Sequence, residues 1–253
     1  MIKKILIIIV ASSFANIVYS QDLKKIKDTL ILKNSIGVTN NGISVIPTFS
    51  LGKPAVIIEL STGTKKFSFD PQLRFALEDA KPWSFVFWLR YKLLEYNKFK
   101  LGIGAHSSFL FITTPTIINE VSNDVITTKQ FVASEIVPTF VINKKVSIGL
   151  YYLYARGITD ENKYSNFISA NGYFTFNNII SNYNLKFVPQ VYYLNLDKVD
   201  GFFTTSTLTI YKRKTPFSIS STFNKKIKSS ITSKDFLWNV SLTYSFGGKY
   251  VLQ

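Results

Sequence analysis

The only histidine of the chain stands in the run His106-Ser107-Ser108, and Glu120 follows it. An imidazole two residues from a hydroxyl, with a carboxylate farther along, is the set of groups that activates serine for acyl transfer. A second set is electrostatic. Lys66, Arg74, Arg90, Lys92, Lys100, Lys145 and Lys186, opposed by Glu59, Asp70 and Glu135, recur at the polar positions of alternating stretches, which Trp88 and His106 share. Groups so placed either pair across a filled interior or line a water path. The first arrangement is an ion-pair network that holds a fold shut; the second passes small anionic solutes. With one His and no Cys, zinc and haem sites are not expected, and no cofactor is assigned.

Strands must position these residues. From Leu237 to Phe246, the side chains of Trp238, Val240, Leu242, Tyr244 and Phe246 fall on one face and Asn239, Ser241, Thr243 and Ser245 on the other, because an extended chain alternates with period 2. Phe67, Phe69 and Phe75 oppose Lys66, Asp70 and Arg74 in the same way, and Trp83, Phe85 and Phe87 oppose Trp88, Arg90 and Lys92. A helical period would scatter these aromatics around an axis. An apolar face that begins and ends in aromatics suits a strand crossing a bilayer. Phe67, Phe69, Phe75, Trp83, Phe85, Phe87, Trp238, Tyr244 and Phe246 are therefore expected to face lipid. Lys66, Asp70, Arg74, Trp88, Arg90, Lys92, Lys100, His106, Glu135 and Lys186 are expected to line the lumen.

The pattern predicts an all-β fold, an antiparallel transmembrane up-and-down β-barrel of about twelve strands, with ten the alternative if the weak N-terminal pair is not a hairpin. The first strand is read at Ile43–Leu51 and the last at Leu237–Phe246. Polar segments Thr113–Thr127, Thr159–Asn166 and Lys225–Asp235 read as loops after odd-numbered strands. The short turns follow even-numbered ones, as they do when a barrel keeps its long loops outside. Pro47, Pro71, Pro138 and Pro189 fall inside strands, where each removes a ladder donor and predicts a bulge.

The N-terminus predicts the compartment. Lys3 and Lys4, the apolar run Ile5–Ala11, and small residues at Val18 and Ser20 ahead of Gln21 have the layout of a secretory signal peptide. The expected organisation is a signal peptide over 1–20, a periplasmic lead-in over 21–41 and a barrel over 42–253. A formal charge of +15 in an exported barrel points to lipopolysaccharide phosphates, not to nucleic acid, since no basic helix or stacking platform is present.

The alternation over residues 42–246 resembles the small outer-membrane β-barrel proteins of Gram-negative bacteria, and the wealth of Lys, Asn, Ile, Phe and Tyr is similar to the Bacteroidetes versions. Tyr244-Ser245-Phe246 resembles the barrel-assembly signal and departs from it in carrying Gly247–Gln253 beyond the aromatic end. The resemblance implies an outer-membrane location, contact with membrane lipid and lipopolysaccharide, and insertion by the barrel-assembly machinery. The His106-x-Ser108 and Glu120 set is similar to that of outer-membrane lipid A deacylases and, more loosely, to the His-x-Ser…Asn set of outer membrane phospholipase A. That likeness would make His106 the base, Ser108 the nucleophile and Glu120 the orienting group. Those enzymes present the dyad to lipid, whereas the alternation here turns His106 and Ser108 inward. The sequence thus favours a non-enzymatic barrel, structural or a narrow pore with a net basic lumen favouring small anionic solutes. A lipid-modifying hydrolase is the alternative.

Overall fold

Backbone groups of a strand need partners on both sides, and a sheet closed on itself supplies them without leaving an edge. The computed structural model describes residues 29–44, 46–118, 121–159 and 164–251, and its strands meet that demand. They are β1 (Thr29–Thr39), β2 in two pieces (Ala55–Glu59 and Thr62–Gly63), β3 (Phe67–Ala76), β4 (Pro82–Glu95), β5 (Phe99–Ile118) and β6 (Val121–Val141). Then follow β7 (Val146–Gly157), β8 (Tyr164–Ile180), β9 (Tyr183–Leu196), β10 (Val199–Lys212), β11 (Phe217–Ser229) and β12 (Phe236–Val251). Each pairs antiparallel with the next, and β12 returns to β1 to close a twelve-stranded barrel.

The closing seam corrects the N-terminal reading. The first strand is Thr29–Thr39, not Ile43–Leu51, so residues 29–39 of the expected lead-in belong to the barrel; residues 1–28, with the signal peptide, lie outside the described residues. Leu30, Leu32, Ile36 and Val38 do alternate, but Asn34 breaks the apolar face and Ile31 adds to the other. The seam also gives the C-terminal tail a place. Gly247–Val251 continues β12 past Phe246 and pairs with Thr29–Lys33. Gly247 takes φ 147°, and a Cβ there would collide with the Leu32 carbonyl, so glycine lets the two backbones close.

The segment expected as strand one is a tongue folded into the barrel. Its neck is Gly42, whose N–H donates to Lys53 O at 2.8 Å and whose carbonyl accepts from Leu51 N at 2.9 Å. A 3-10 turn, Pro47–Phe49, forms its tip.

Connections after odd-numbered strands share one end of the barrel, here the loop end, and those after even-numbered strands share the other, the turn end. The segment expected as a loop over Thr113–Thr127 is a ladder in its described residues: Thr113 pairs with Ile126 and Pro115 with Asp124, extending the β5–β6 hairpin. Where both faces meet water a ladder needs no apolar alternation, which is why the pattern faded there. Lys225–Ser229 likewise continues β11. The bulges fall elsewhere than at the prolines. Pro71, Pro138 and Pro189 sit in register with Phe87, Leu101 and Ser206, while Pro47 lies in the tongue. Register shifts occur at Arg74/Phe75, Lys92/Leu94, Tyr183/Leu185 and Phe202/Phe203.

Phe67, Phe69, Trp238, Tyr244 and Phe246 are exposed on the outer face, and Phe75, Phe85 and Phe87 join it in a ladder of ring contacts, Phe75–Phe85 at 5.3 Å and Phe87–Phe109 at 6.3 Å. Aromatic pairs mark two outer girdles: Phe99–Phe140 and Phe217–Tyr244 near the turn end, Tyr193–Phe202 and Phe223–Phe236 near the loop end. Trp83 is the correction on this face. The Arg74/Phe75 bulge pairs Phe75 with Pro82 and Arg74 with Ser84, skipping Trp83. Its ring turns inward, 2% exposed, and donates Nε1–H to Phe49 O of the tongue at 2.9 Å. Inside, Phe167, Tyr192 and Phe203 stack at centroid spacings of 5.0 Å and 5.0 Å, packed with Leu194, Leu196 and Ile231. The loop-end half of the lumen is therefore largely filled.

Candidate lumen site

Neighbouring strands β3 to β7 bring the inward polar residues together at mid-barrel. Arg90 of β4 donates Nε–H to Glu135 Oε1 at 2.8 Å and Nη1–H to Asp70 Oδ2 at 3.0 Å. Tyr151 O–H donates to Glu135 Oε2 at 2.7 Å, and Ser61 and Ser68 donate to Asp70 at 2.6 and 2.9 Å. Gly104, facing Glu135 across β5–β6, leaves the carboxylate its room, since a Cβ there would stand 2.8 Å from Glu135 Oε1. The guanidinium of Arg90 also lies 4.2 Å from the Trp88 ring, and Trp88 meets His106 edge to face at 4.2 Å. Beside this belt, Gln72 accepts from Arg74 at 2.8 Å and reaches Glu59 at 3.4 Å.

The belt sets two cations, Arg74 and Arg90, against three carboxylates, Glu59, Asp70 and Glu135. Its centre is an ion-pair network, and breaking it should be costly because Glu135 keeps only 3% of its side chain exposed. Arg90→Ala is expected to destabilise the barrel by about 3 kcal/mol, the low end for a broken buried pair, since Arg90 itself is one-third exposed. The check is the temperature at which the compact form is lost on unheated and heated gels; an unchanged temperature would contradict it.

Asp70, Arg74, Trp88, Arg90, His106 and Glu135 are thus brought together on the inner face of the sheet. Lys66 is not among them. It occupies the turn after β2, where its carbonyl accepts from Lys92 N at 2.9 Å, because the strand ends at Gly63. Lys92, Lys100 and Lys186 share the inward register but stand exposed towards the turn end. Lys33 and Lys249, on the seam strands, share it too. Against these five lysines stands Glu95, opposite Lys100 and 3.4 Å from Lys92. These five lysines and Glu95 lie towards the turn end, away from the belt.

Tyr151 and Ser61 escaped the lumen assignment. Their signal was parity alone: Tyr151 falls between the outward Leu150 and Tyr152.

Two cavities flank the belt, and Gln72 and Arg90 border both. The one towards the turn end, about 650 Å³, runs along Lys33, Ser35, Glu59, Asp70 and Ser245. The other, about 410 Å³, lies under the tongue between Ile46 and Phe49 above and Arg74, Ser84, Trp88, His106 and Ser108 below. His106 and Ser108 face this cavity, not the outer surface, and no hydrogen bond joins them among the described residues; Glu120 lies outside those residues.

No family model matches the chain, and no curated protein does. Solved barrels do. The KdgM porin aligns with a TM-score of 0.55 at 10% identity, over 85% of this chain and 99% of that one. The KdgM porin in complex with disordered oligogalacturonate gives 0.53 at 10%, over 86% and 99%. An outer membrane channel from Pseudomonas putida F1 gives 0.50 at 12%, over 91% and 98%. The chain has the fold of outer-membrane porin-like β-barrels. At these identities the likeness concerns architecture.

Proposed function

We propose that this protein is an outer-membrane channel of narrow bore that passes small anionic solutes. The observation that carries the reading is the mouth of inward lysines, Lys33, Lys92, Lys100, Lys186 and Lys249, opposed by Glu95 and leading into a cavity at the belt. A ring of ammonium groups at a low-dielectric opening raises the local concentration of anions and lowers that of cations. The paired girdles and the apolar outer face support lipid as the solvent around the barrel. With the turn end periplasmic, the lysine mouth opens inward and the tongue guards the outer side. Arg156, Lys225 and Lys228, near the loop end, then lie where lipopolysaccharide phosphates would meet them. The strand β12 with its aromatic outer face is the segment the assembly machinery would engage. A KdgM barrel of this architecture in complex with oligogalacturonate is compatible with an acidic solute here.

Purified protein in liposomes that enclose a chloride-sensitive dye tests the reading. Chloride entry is expected to be faster than in protein-free liposomes; equal rates would contradict a pore.

A further inference from the structure

We propose that the cavity under the tongue binds one small planar monocarboxylate, its acid group against Arg74 and its apolar body against the aromatic wall. This rests on the anion-channel reading and names the class of solute. The cavity measures about 410 Å³, within the roughly 300–1,000 Å³ range of small-ligand sites. Phe49, Trp88, Leu110, Phe131, Tyr151 and Phe167 dominate its surface. An open diffusion path gains nothing from such a wall, and an inorganic ion would leave it uncovered.

The polar side of the cavity selects an acceptor. Arg90 is already neutralised by Asp70 and Glu135, whereas Arg74 makes no ion pair among the described residues and gives Nη2–H to Gln72. Arg74 and Ser84 lie directly opposite each other across β3–β4. Arg74 Nε, Ser84 Oγ and His106 Nδ1 are all buried without a protein hydrogen-bond partner, and all three residues line this cavity. Ser84 is 8% exposed. A guanidinium nitrogen only donates, while a hydroxyl and an imidazole nitrogen can do so; one group with several lone pairs and no proton therefore satisfies the cluster. A carboxylate is that group. These atoms have no free surface, so engaging them requires Arg74 and His106 to turn slightly towards the ligand.

Tryptophan fluorescence reads this site directly. The chain has 3 Trp, and Trp238→Phe leaves Trp83, against the tongue, and Trp88, on the cavity wall. The Trp238→Phe protein, folded in detergent, is titrated with 4-nitrobenzoate and with neutral 4-nitrobenzyl alcohol, using free N-acetyltryptophanamide to correct for absorbance. Saturable quenching by the acid, roughly tenfold tighter than by the alcohol, is expected from a charge-assisted contact. Arg74→Gln should abolish that preference, and Ser84→Ala, a smaller change, should reduce it. Equal quenching by acid and alcohol, or a preference that survives in both variants, would overturn the proposal. Binding in detergent does not require conduction, so failure here is distinguishable from failure of the channel reading.

Discussion

Removal of Thr29–Thr39 is expected to abolish the barrel. Every residue of β1 pairs with β12, from Thr29 with Val251 to Thr39 with Ser241, and the other edge of β1 holds both pieces of β2. Without it, β12 and β2 present unpaired N–H and C=O groups along their length. In a hydrocarbon solvent each such group costs several kcal/mol, more in sum than a domain's whole stability. Gel migration of unheated and heated samples checks this. The intact chain should show a compact, heat-modifiable form and the deletion should show none. A dispensable periplasmic lead-in, the role the sequence pattern suggested, would tolerate the deletion, so survival of the compact form would contradict the seam.

Excision of the tongue is expected to raise conductance severalfold. Ile43–Ser50 leaves and re-enters the wall at one point, since Gly42 already bonds to Leu51 and Lys53; a Gly-Gly bridge from Gly42 to Leu51 keeps that neck. What is lost is the plug: Ile46 and Phe49 above the cavity, and the Trp83 bond to Phe49 O. The same change removes the apolar side chains of Ile46, Pro47 and Phe49 from the interior, about 3 to 5 kcal/mol of burial, so the variant should also melt earlier. Single-channel recordings in planar bilayers check it. Unchanged conductance would mean that the path avoids the tongue.

Strands were legible in the sequence wherever their two faces meet different solvents. Leu237–Phe246 shows this, with aromatics on one side and amides and hydroxyls on the other, and so do the inward Asp70, Arg90 and Glu135 between outward apolar neighbours. Legibility failed where the solvents were alike. The described part of Thr113–Thr127 is a ladder whose sequence lacks a clear apolar alternation, and it read as a loop. The tongue failed for the opposite reason: its apolar residues alternate like a strand's, but Ile46, Pro47 and Phe49 pack inside the barrel. Composition does not say whether lipid or a packed interior receives a phenyl ring. Trp83 illustrates the same ambiguity, turned over by one bulged residue at Arg74/Phe75. The charge of the lumen was legible only as a sum. Which lysines lie at the mouth and which arginine is already paired depends on register across strands distant in sequence.

The zero-current potential across a planar bilayer with unequal KCl on its two sides tests the central claim most directly. The protein should set a potential of the sign given by chloride passing faster than potassium, and Lys33→Gln with Lys100→Gln and Lys186→Gln should move it towards zero while the heat-modifiable form persists. A potential of the opposite sign, or one that the three substitutions leave in place, would contradict selection of anions at the lysine mouth.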